Sequence, residues 1–316
     1  MLVADPLFPP IEPSQVGWLD VGGGHRVYWE TIGNLDGEPA LFLHGGPGSG
    51  CTEGHRRWFD PGRFYTVLFD QRGCGRSTPL AATADTDLST NTTDHLVADI
   101  EALRSHLQID RWLVVGGSWG VTLALTYAQR HPNRITRMVL AAVTAGRRLE
   151  TEWITRAMGR VFPREWNDFV AHVPADERDG DLAAAYARLL ASTDTALTEQ
   201  AALAWCRWED THVSLATGPE QHLQLMPPAQ RQVFARLVTH YWSHDCFLED
   251  HPILDAMDRI ASIPAALIHG AHDVSSPLDT AWELHRRWPA SDLAVIGDAG
   301  HGGSSMLNEV ITAINS

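Results

Sequence analysis

The stretch WLVVGGSWGVTLALTYAQR, residues 112–130, decides how the rest of the chain is read. It begins with an apolar, β-branched run typical of a buried strand and ends with apolar residues at helical spacing. The turn between them, GGSWG, has the G-x-S-x-G pattern, in which a serine projects its hydroxyl from a tight strand-to-helix turn while glycines tolerate close backbone approach. Ser118 is therefore a candidate nucleophile.

Two backbone N–H groups are predicted to form an oxyanion hole beside Ser118. Trp119 supplies one, because the free N–H groups and positive dipole end of a helix start favour an anion. Gly46 supplies the other, from the loop HGGPGSG that follows a short apolar strand at residues 40–43. A plain tight turn is the alternative for this loop. A phosphate cradle is disfavoured, because the lysine and Ser/Thr of a P-loop are missing.

Composition indicates one large core with an insertion. The chain has 316 residues, of which 44% are hydrophobic and 20% charged, as expected for a soluble globular protein. Lysine and arginine number 24 against 39 acidic residues, for a net charge of −15, and no basic run occurs. Nucleic acid and anionic membranes are therefore not expected as partners.

The cysteines and the N-terminal residues favour a cytoplasmic protein. The four cysteines are scattered, at Cys51, Cys74, Cys206 and Cys246, without metal-ligand spacing or a dense disulfide framework. The leader MLVADPLFPPIEP has no basic region followed by an apolar run, and no segment reaches transmembrane length. Reduced thiols and a cytoplasmic location are the expectation.

The order of strand and helix patterns predicts an α/β fold. A hairpin with a turn at residues 22–24 comes first, and a helix is predicted over residues 93–107. Further strands are predicted at residues 40–43, 65–69, 138–143 and 292–296, and two more begin at residue 112, before the GGSWG turn, and at residue 265, in AALIHGAHD. Such alternation predicts a mostly parallel sheet with helices on both faces. Residues 1–145 and 252–316 are expected to form the core, and residues 146–251 an inserted helical cap over its carboxyl edge.

Two residues after the last predicted strands complete a candidate catalytic triad. Asp273, in HGAHDVSSP, and His301, in GDAGHGG, each follow a strand, as Ser118 does. The order Ser, Asp, His is that of α/β-hydrolases. Asp298 is a rival acid, although its position three residues before His301 favours a local turn role. His269 and His272 lie nearby and could suggest a metal site. This is disfavoured, because no cluster of carboxylates accompanies the two histidines.

The loop DQRGCGRS, residues 70–77, allows two interpretations. Arg72 and Arg76 offer positive charge for an anion, whereas Asp70 offers them an ion-pair partner within the loop. The structural interpretation is favoured.

Four motifs together resemble the proline iminopeptidases, which are prolyl aminopeptidases of the α/β-hydrolase fold. They are HGGPGSGC at 44–51, DQRGCGRS at 70–77, NTTDHLVADIEALR at 91–104 and GGSWGVTLAL at 116–125. The similarity runs from residue 17 through nearly the whole chain. It implies removal of an N-terminal residue, typically proline, from short peptides by an enzyme with a helical cap and without a cofactor.

The resemblance also implies substrate-binding residues in the cap. Cap carboxylates hold the free amine of the substrate in this family, and Glu209, in AWCRWEDT, matches the first of them. Its neighbours Trp205 and Trp208 favour partial desolvation, which strengthens pairing with a cation.

Two substrate-binding positions depart from the family pattern. Val238, in the stretch LVTHYW that also holds Tyr241, stands where a second carboxylate is usual, and Thr144 stands where an aromatic residue walls the proline ring. Tyr241 is predicted to contact the substrate. The missing carboxylate predicts weaker ammonium binding, or its transfer to another acidic group: Glu152, Asp210 or Asp245.

Three functions fit the sequence. The first is a serine aminopeptidase acting through an acyl-enzyme on short peptides or amides with N-terminal proline or a small apolar residue. The second is an esterase or amidase on a small molecule without a free amine, which the loss of a carboxylate at Val238 favours. The third is a catalytically silent binding protein that uses the cap pocket, against which the complete triad argues. The oligomeric state is not predicted.

Overall fold

A computed structural model describes residues 6–215, 226–248 and 252–316. In these ranges eight strands form one sheet in the order β1-β2-β4-β3-β5-β6-β7-β8. The strands are β1 (Gln15–Asp20), β2 (Arg26–Gly33), β3 (Glu38–Leu43), β4 (Phe64–Phe69), β5 (Trp112–Gly117), β6 (Ile135–Ala141), β7 (Ala265–Gly270) and β8 (Ser291–Ile296). The fold is the expected α/β-hydrolase architecture.

The sheet is antiparallel at its first edge and parallel elsewhere. β1 pairs with β2 as a hairpin in which Gly17 lies opposite Trp29, and β2 pairs antiparallel with β4. The other neighbours are parallel from β4 through β8. The predicted hairpin is confirmed, with its turn at three glycines of positive φ, residues 22–24. Because parallel strands end at one edge, the loops after β3, β5, β7 and β8 meet there.

Helices cover the sheet and fill the segment between β6 and β7. They are α1 (Glu53–Arg56), α2 (Thr93–His106), α3 (Trp119–Arg130), α4 (Arg148–Thr155), α5 (Pro163–Ala171), α6 (Leu182–Leu190), α7 (Thr195–Val213), α8 (Pro228–Trp242), α9 (Leu278–Arg286) and α10 (Ser304–Asn315). Short 3-10 turns occur at Pro132–Arg134, Ala157–Arg160, Asp245–Phe247 and Ile253–Ile260. No helix within the described ranges is long and apolar enough to cross a membrane.

The predicted helix at residues 93–107 is confirmed as α2. The Thr92 hydroxyl accepts a hydrogen bond from the His95 N–H and so caps its first turn. Leu96, Ile100 and Leu103 are buried on one face against the sheet. Apolar residues at this spacing form a helix because they reach the core only from one helical stripe.

The helices between β6 and β7 have an apolar cluster of their own, rich in aromatic rings. Phe169 stacks on Tyr186 with ring centroids 4.6 Å apart and on Trp208 at 5.4 Å. Trp205 packs edge-on against Tyr186 at 5.2 Å. Burial of such rings provides much of the stability of this helical region.

The strand predicted at residues 138–143 is displaced in the structure. β6 begins three residues earlier, at Ile135. The prediction missed this start because Thr136 and Arg137 are polar, half-buried residues that interrupt the apolar strand pattern. It ends at Ala141, because Ala142 has a φ of 51° and turns the chain out of the sheet.

The structural interpretation of the 70–77 loop is confirmed. Arg76 Nε donates to Asp70 Oδ2 at 2.7 Å. Arg72 instead pairs with Asp99 of α2 at 2.6 Å, with both side chains buried. Both arginines therefore hold the loop. All four cysteines are free thiols.

Candidate active site

Ser118 lies between the last residue of β5 and the first residue of α3. Its φ of 54° and ψ of −124° are unusual for a non-glycine residue and store strain that the surrounding structure must offset. Its N–H donates to Ala141 O at 2.9 Å. The first turn of α3 can pack against the end of β3 only because residue 120 is glycine: a Cβ on Gly120 would lie 2.1 Å from Leu43 O.

The structure brings together the three residues of the candidate triad. His301 Nε2 lies 3.0 Å from Ser118 Oγ, and His301 Nδ1 lies 2.9 Å from Asp273 Oδ2. The Ser276 N–H donates to Asp273 Oδ1 at 2.9 Å. Since the carboxylate accepts the Nδ1 proton, Nε2 is left to accept the proton of the Ser118 hydroxyl.

The charges of Asp273 and His301 stabilise each other in a buried site. Burial disfavours the charged imidazole, but the Asp273 carboxylate outweighs it, so the pKa of His301 is raised. Burial likewise disfavours the charged carboxylate, yet the facing imidazoles and hydrogen bonds lower the pKa of Asp273. His301 is therefore suited to act as a base that gains a proton during a reaction, because Asp273 stabilises the resulting charge.

The rival residues have other partners. Asp298 accepts a 2.7 Å hydrogen bond from the hydroxyl of Ser305, in the first turn of α10. His269 is buried, with Nδ1 accepting from the Val143 N–H at 3.0 Å and Nε2 facing Ser276 O at 2.7 Å. The described part of the chain contains no group of three metal-ligating side chains.

Gly46 and Trp119 line a cavity together with Ser118, as an oxyanion hole requires. Trp119 is the first residue of α3, where N–H groups have no intrahelical acceptor. The glycine loop lies directly on the nucleophile turn, since a Cβ on Gly45 would be 3.3 Å from Ser118 Cβ. The two predicted oxyanion donors therefore belong to residues that line the same cavity as the nucleophile.

The cavity has two compartments that meet at Ser118. The inner compartment, of about 50 Å³, extends between the core and α4 and includes Thr144 and Trp242. The outer compartment, of about 610 Å³, extends along α7 and α8. Both are lined by Gly46, Ser118, Glu209 and His301.

Glu209 of α7 is the acidic side chain that faces both compartments beside the nucleophile. Burial raises its pKa to about 7; the nearby Asp210 acts in the same direction, whereas His301 and Trp205 act against it. Its Oε2 atom is buried without a hydrogen-bond partner among the described residues. A buried, unsatisfied carboxylate oxygen is costly unless a ligand pairs with it.

The chain matches known proteins over nearly its full length. The family model for the alpha/beta hydrolase fold matches residues 39–304. A probable proline iminopeptidase of Streptomyces coelicolor is 47% identical over 311 residues, covering 97% of this chain and 96% of the relative. A proline iminopeptidase of Xylella fastidiosa is 44% identical, covering 93% of each chain.

The chain belongs to the proline iminopeptidase family of α/β-hydrolases. The crystal structure of a proline iminopeptidase from Mycobacterium smegmatis has the same fold, with a TM-score of 0.59, 20% identity, and coverage of 95% of this chain and 100% of that one.

The positions that depart from the usual proline iminopeptidase pattern lie at different depths. Thr144 lines the inner compartment. Val238 is fully buried in the apolar cluster of the inserted helices, so no carboxylate approaches from that point of α8. Tyr241 is buried and packs on Trp119 at 4.8 Å, which places it behind the nucleophile turn.

The other residues predicted to bind substrate lie either next to Glu209 or away from the nucleophile. Trp205 and Trp208 are buried in the aromatic cluster beneath Glu209. Asp210 lines the outer compartment beside Glu209. Glu152 and Asp245 instead pair with Arg148, at 3.1 and 3.4 Å, away from the nucleophile.

Sequence reasoning for this proline iminopeptidase family member missed three polar residues around the nucleophile. Thr122 Oγ1 lies 2.8 Å from Thr144 Oγ1, and Ser275 Oγ, in the inner compartment, lies 3.0 Å from His212 Nδ1. Burial lowers the pKa of His212 to about 3 and keeps it neutral. Nothing in the local sequence of these residues marks them, because their partners lie on other elements.

Proposed function

We propose that the chain is a serine aminopeptidase that releases N-terminal proline or a small apolar residue from short peptides or amides. The observation that carries this proposal is Glu209: one oxygen of its carboxylate is buried without a partner among the described residues, in the same cavity as Ser118 and His301. An ionised carboxylate in that place suits the ammonium group of a substrate. The proline iminopeptidase names of the relatives agree with it.

The first chemical step is acylation of Ser118. His301 Nε2, 3.0 Å away, takes the hydroxyl proton as Oγ attacks the carbonyl carbon of the N-terminal residue. Asp273 holds the imidazole in the required tautomer and stabilises the imidazolium. The N–H groups of Gly46 and Trp119 stabilise the oxyanion, and one such donor is typically worth about 3–4 kcal/mol of barrier.

The second step returns the enzyme to its starting state. His301 gives its proton to the leaving amine, and the peptide bond breaks to leave an ester on Ser118. Water then attacks the ester carbonyl while losing a proton to His301, and His301 returns that proton to Ser118 Oγ as the ester bond breaks. The free amino acid and the shortened peptide are the products.

We assign the two compartments to the two sides of the scissile bond. The inner compartment is small and suits one side chain, whereas the outer one has room for a peptide. Glu209 lines both and is therefore placed to hold the ammonium at their junction. The apolar surroundings of Val238 leave this task to Glu209, with Asp210 as the adjacent carboxylate.

The organisation of the chain follows from the same proposal. Residues 146–251, of which 216–225 and 249–251 lie outside the described ranges, are assigned to a helical cap over the core made of residues 1–145 and 252–316, and Glu209 is the cap's contribution to the site. A cytoplasmic location is part of the proposal, which the four free thiols support.

An esterase or amidase without amine recognition is the second candidate, and the buried Val238 favours it. The decisive experiment compares kcat/KM for proline p-nitroanilide, alanine p-nitroanilide, the N-acetyl analogue of each and p-nitrophenyl acetate, with Ser118→Ala as the blank. Faster turnover of either amino-acid anilide than of its N-acetyl analogue supports the aminopeptidase. Turnover of the ester alone would replace it by the esterase.

A further inference from the structure

Gln71, in the loop after β4, joins the two segments that carry the proposed oxyanion donors. Its side-chain Nε2 donates to His44 O at 2.9 Å, and its Oε1 accepts from Trp119 Nε1 at 2.9 Å. The side chain is buried, with 2% of the residue exposed. His44 lies two residues before Gly46, and Trp119 opens α3. One amide therefore spans both halves of the oxyanion hole.

The orientation of this amide follows from its partners. The Trp119 indole can only donate and the His44 carbonyl can only accept, so Oε1 must face the indole. The backbone N–H of Gln71 donates to His44 Nε2 at 3.0 Å, which leaves the ring proton on Nδ1, 2.9 Å from Gly45 O. Burial lowers the pKa of His44 and keeps this neutral form. In this arrangement each of these donors faces an acceptor.

We propose that Gln71 is a positioning residue that sets the separation of the Gly46 and Trp119 N–H groups. The proposal rests on the proposed role of Ser118 as nucleophile. Gln71 does not line either compartment as described, so it acts through its two neighbours and not on the substrate. Oxyanion donors lower a barrier only when they are held at the right distance before the reaction begins. A rigid bridge between the loops provides that.

The test is Gln71→Met, which keeps the length of the side chain and removes both hydrogen bonds. With p-nitrophenyl acetate, kcat should fall about 10- to 100-fold while KM changes less than about threefold, because the oxyanion hole acts on the transition state. Affinity for a boronic acid that forms a tetrahedral adduct with Ser118 should fall by a similar factor. An unchanged kcat in folded Gln71→Met would overturn the proposal.

Gln129→Met is the matched control. Gln129 is also a buried glutamine, 7% exposed, whose Nε2 donates to Ile253 O at 2.7 Å near the far end of α3. The Gln129→Met substitution should lower the melting temperature but should not reduce kcat as Gln71→Met does. An equal loss of kcat in both variants would show that Gln71 is merely structural.

Trp119→Phe tests the same bridge from the other side, and if Gln71→Met does not fold, it should by itself lower kcat with little change in KM. It removes the indole donor and keeps the backbone N–H. Where both single variants fold, the two substitutions together should reduce kcat by less than the product of their single effects, because both remove the hydrogen bond between Gln71 and Trp119. Multiplied effects would contradict the bridge. Turnover that survives Ser118→Ala would instead refute the proposed function itself.

Discussion

Thr144 Oγ1 donates a 2.9 Å hydrogen bond to the carbonyl oxygen of Ser118. Thr144 Oγ1 also lies 2.8 Å from Thr122 Oγ1. Because the only hydroxyl proton of Thr144 is directed to Ser118, Thr122 must be the donor in the second bond. The residue that replaces an aromatic wall in this family member thus also ties the strained nucleophile turn to the chain after β6.

Thr144→Val should lower both stability and kcat. The loss of a buried hydrogen bond costs about 1 kcal/mol of unfolding free energy, and a looser Ser118 should reduce kcat several-fold. Thr126→Val is the control, because Thr126 Oγ1 donates to Thr122 O at 2.8 Å on the same helix without touching Ser118. Thermal unfolding and kcat of both variants are measured. Equal kcat values would show that the Thr144 bond does not position the nucleophile.

Asp273→Asn should lower kcat by roughly 10⁴-fold, because an amide facing His301 Nδ1 no longer holds the tautomer that accepts the Ser118 proton. Asp298→Asn, whose carboxylate accepts only a local hydrogen bond from Ser305 at 2.7 Å, is the matched variant and should change kcat less than about twofold. Steady-state turnover of p-nitrophenyl acetate decides between them. The opposite ranking would make Asp298 the orienting acid.

Acid should inhibit amine substrates more steeply than esters. His301 must be neutral to act as base, and since its pKa is raised, activity is lost as pH falls through that raised value. Glu209 must be ionised to pair with an ammonium, and its pKa is about 7. The acid limb of kcat/KM should therefore follow two ionisations for an amino-acid anilide and one for an ester.

The pH profile of Glu209→Gln separates the two groups. The acid limb for the anilide should reduce to one ionisation. The limb for the ester should move to lower pH, because the Glu209 charge contributes to the raised pKa of His301. Identical profiles for both substrates in the wild-type enzyme would remove Glu209 from amine recognition.

Arg72→Met should destabilise the fold strongly. Arg72 and Asp99 form a 2.6 Å pair with 2% and 1% of their side chains exposed, so the substitution leaves a buried carboxylate unpaired at a cost of about 3–5 kcal/mol. Arg134→Met removes an equally short pair with Asp110, but that pair is 37% and 82% exposed and contributes less than about 1 kcal/mol. Urea unfolding at pH 7 measures both. Equal losses would contradict the assigned role of burial.

The sequence was sufficient to predict the sheet and the positions of the candidate triad at its edge. Buried parallel strands are short apolar runs, and Ser118, Asp273 and His301 each follow one, so that the sheet alone brings them to one edge. The start of β6 was missed because Thr136 and Arg137 interrupt its apolar pattern on a half-buried face.

Contacts between distant loops were beyond the sequence. Gln71 stands between the more conspicuous Asp70 and Arg72, and its bonds to His44 and Trp119 span 27 and 48 residues. No periodicity or motif records such a pairing. The same holds for Glu209: its match to the family was visible, but its unpartnered oxygen and raised pKa depend on what packs around α7.

The most direct test of the central claim is the effect of Glu209→Gln on alanine p-nitroanilide and on N-acetylalanine p-nitroanilide. The account predicts that kcat/KM for the free amine falls about 10- to 100-fold, mainly through KM, because a hydrogen bond between charged groups is lost. The acetylated substrate, which carries no ammonium, should be little affected. An equal loss for both substrates would contradict amine recognition by Glu209, and with it the aminopeptidase.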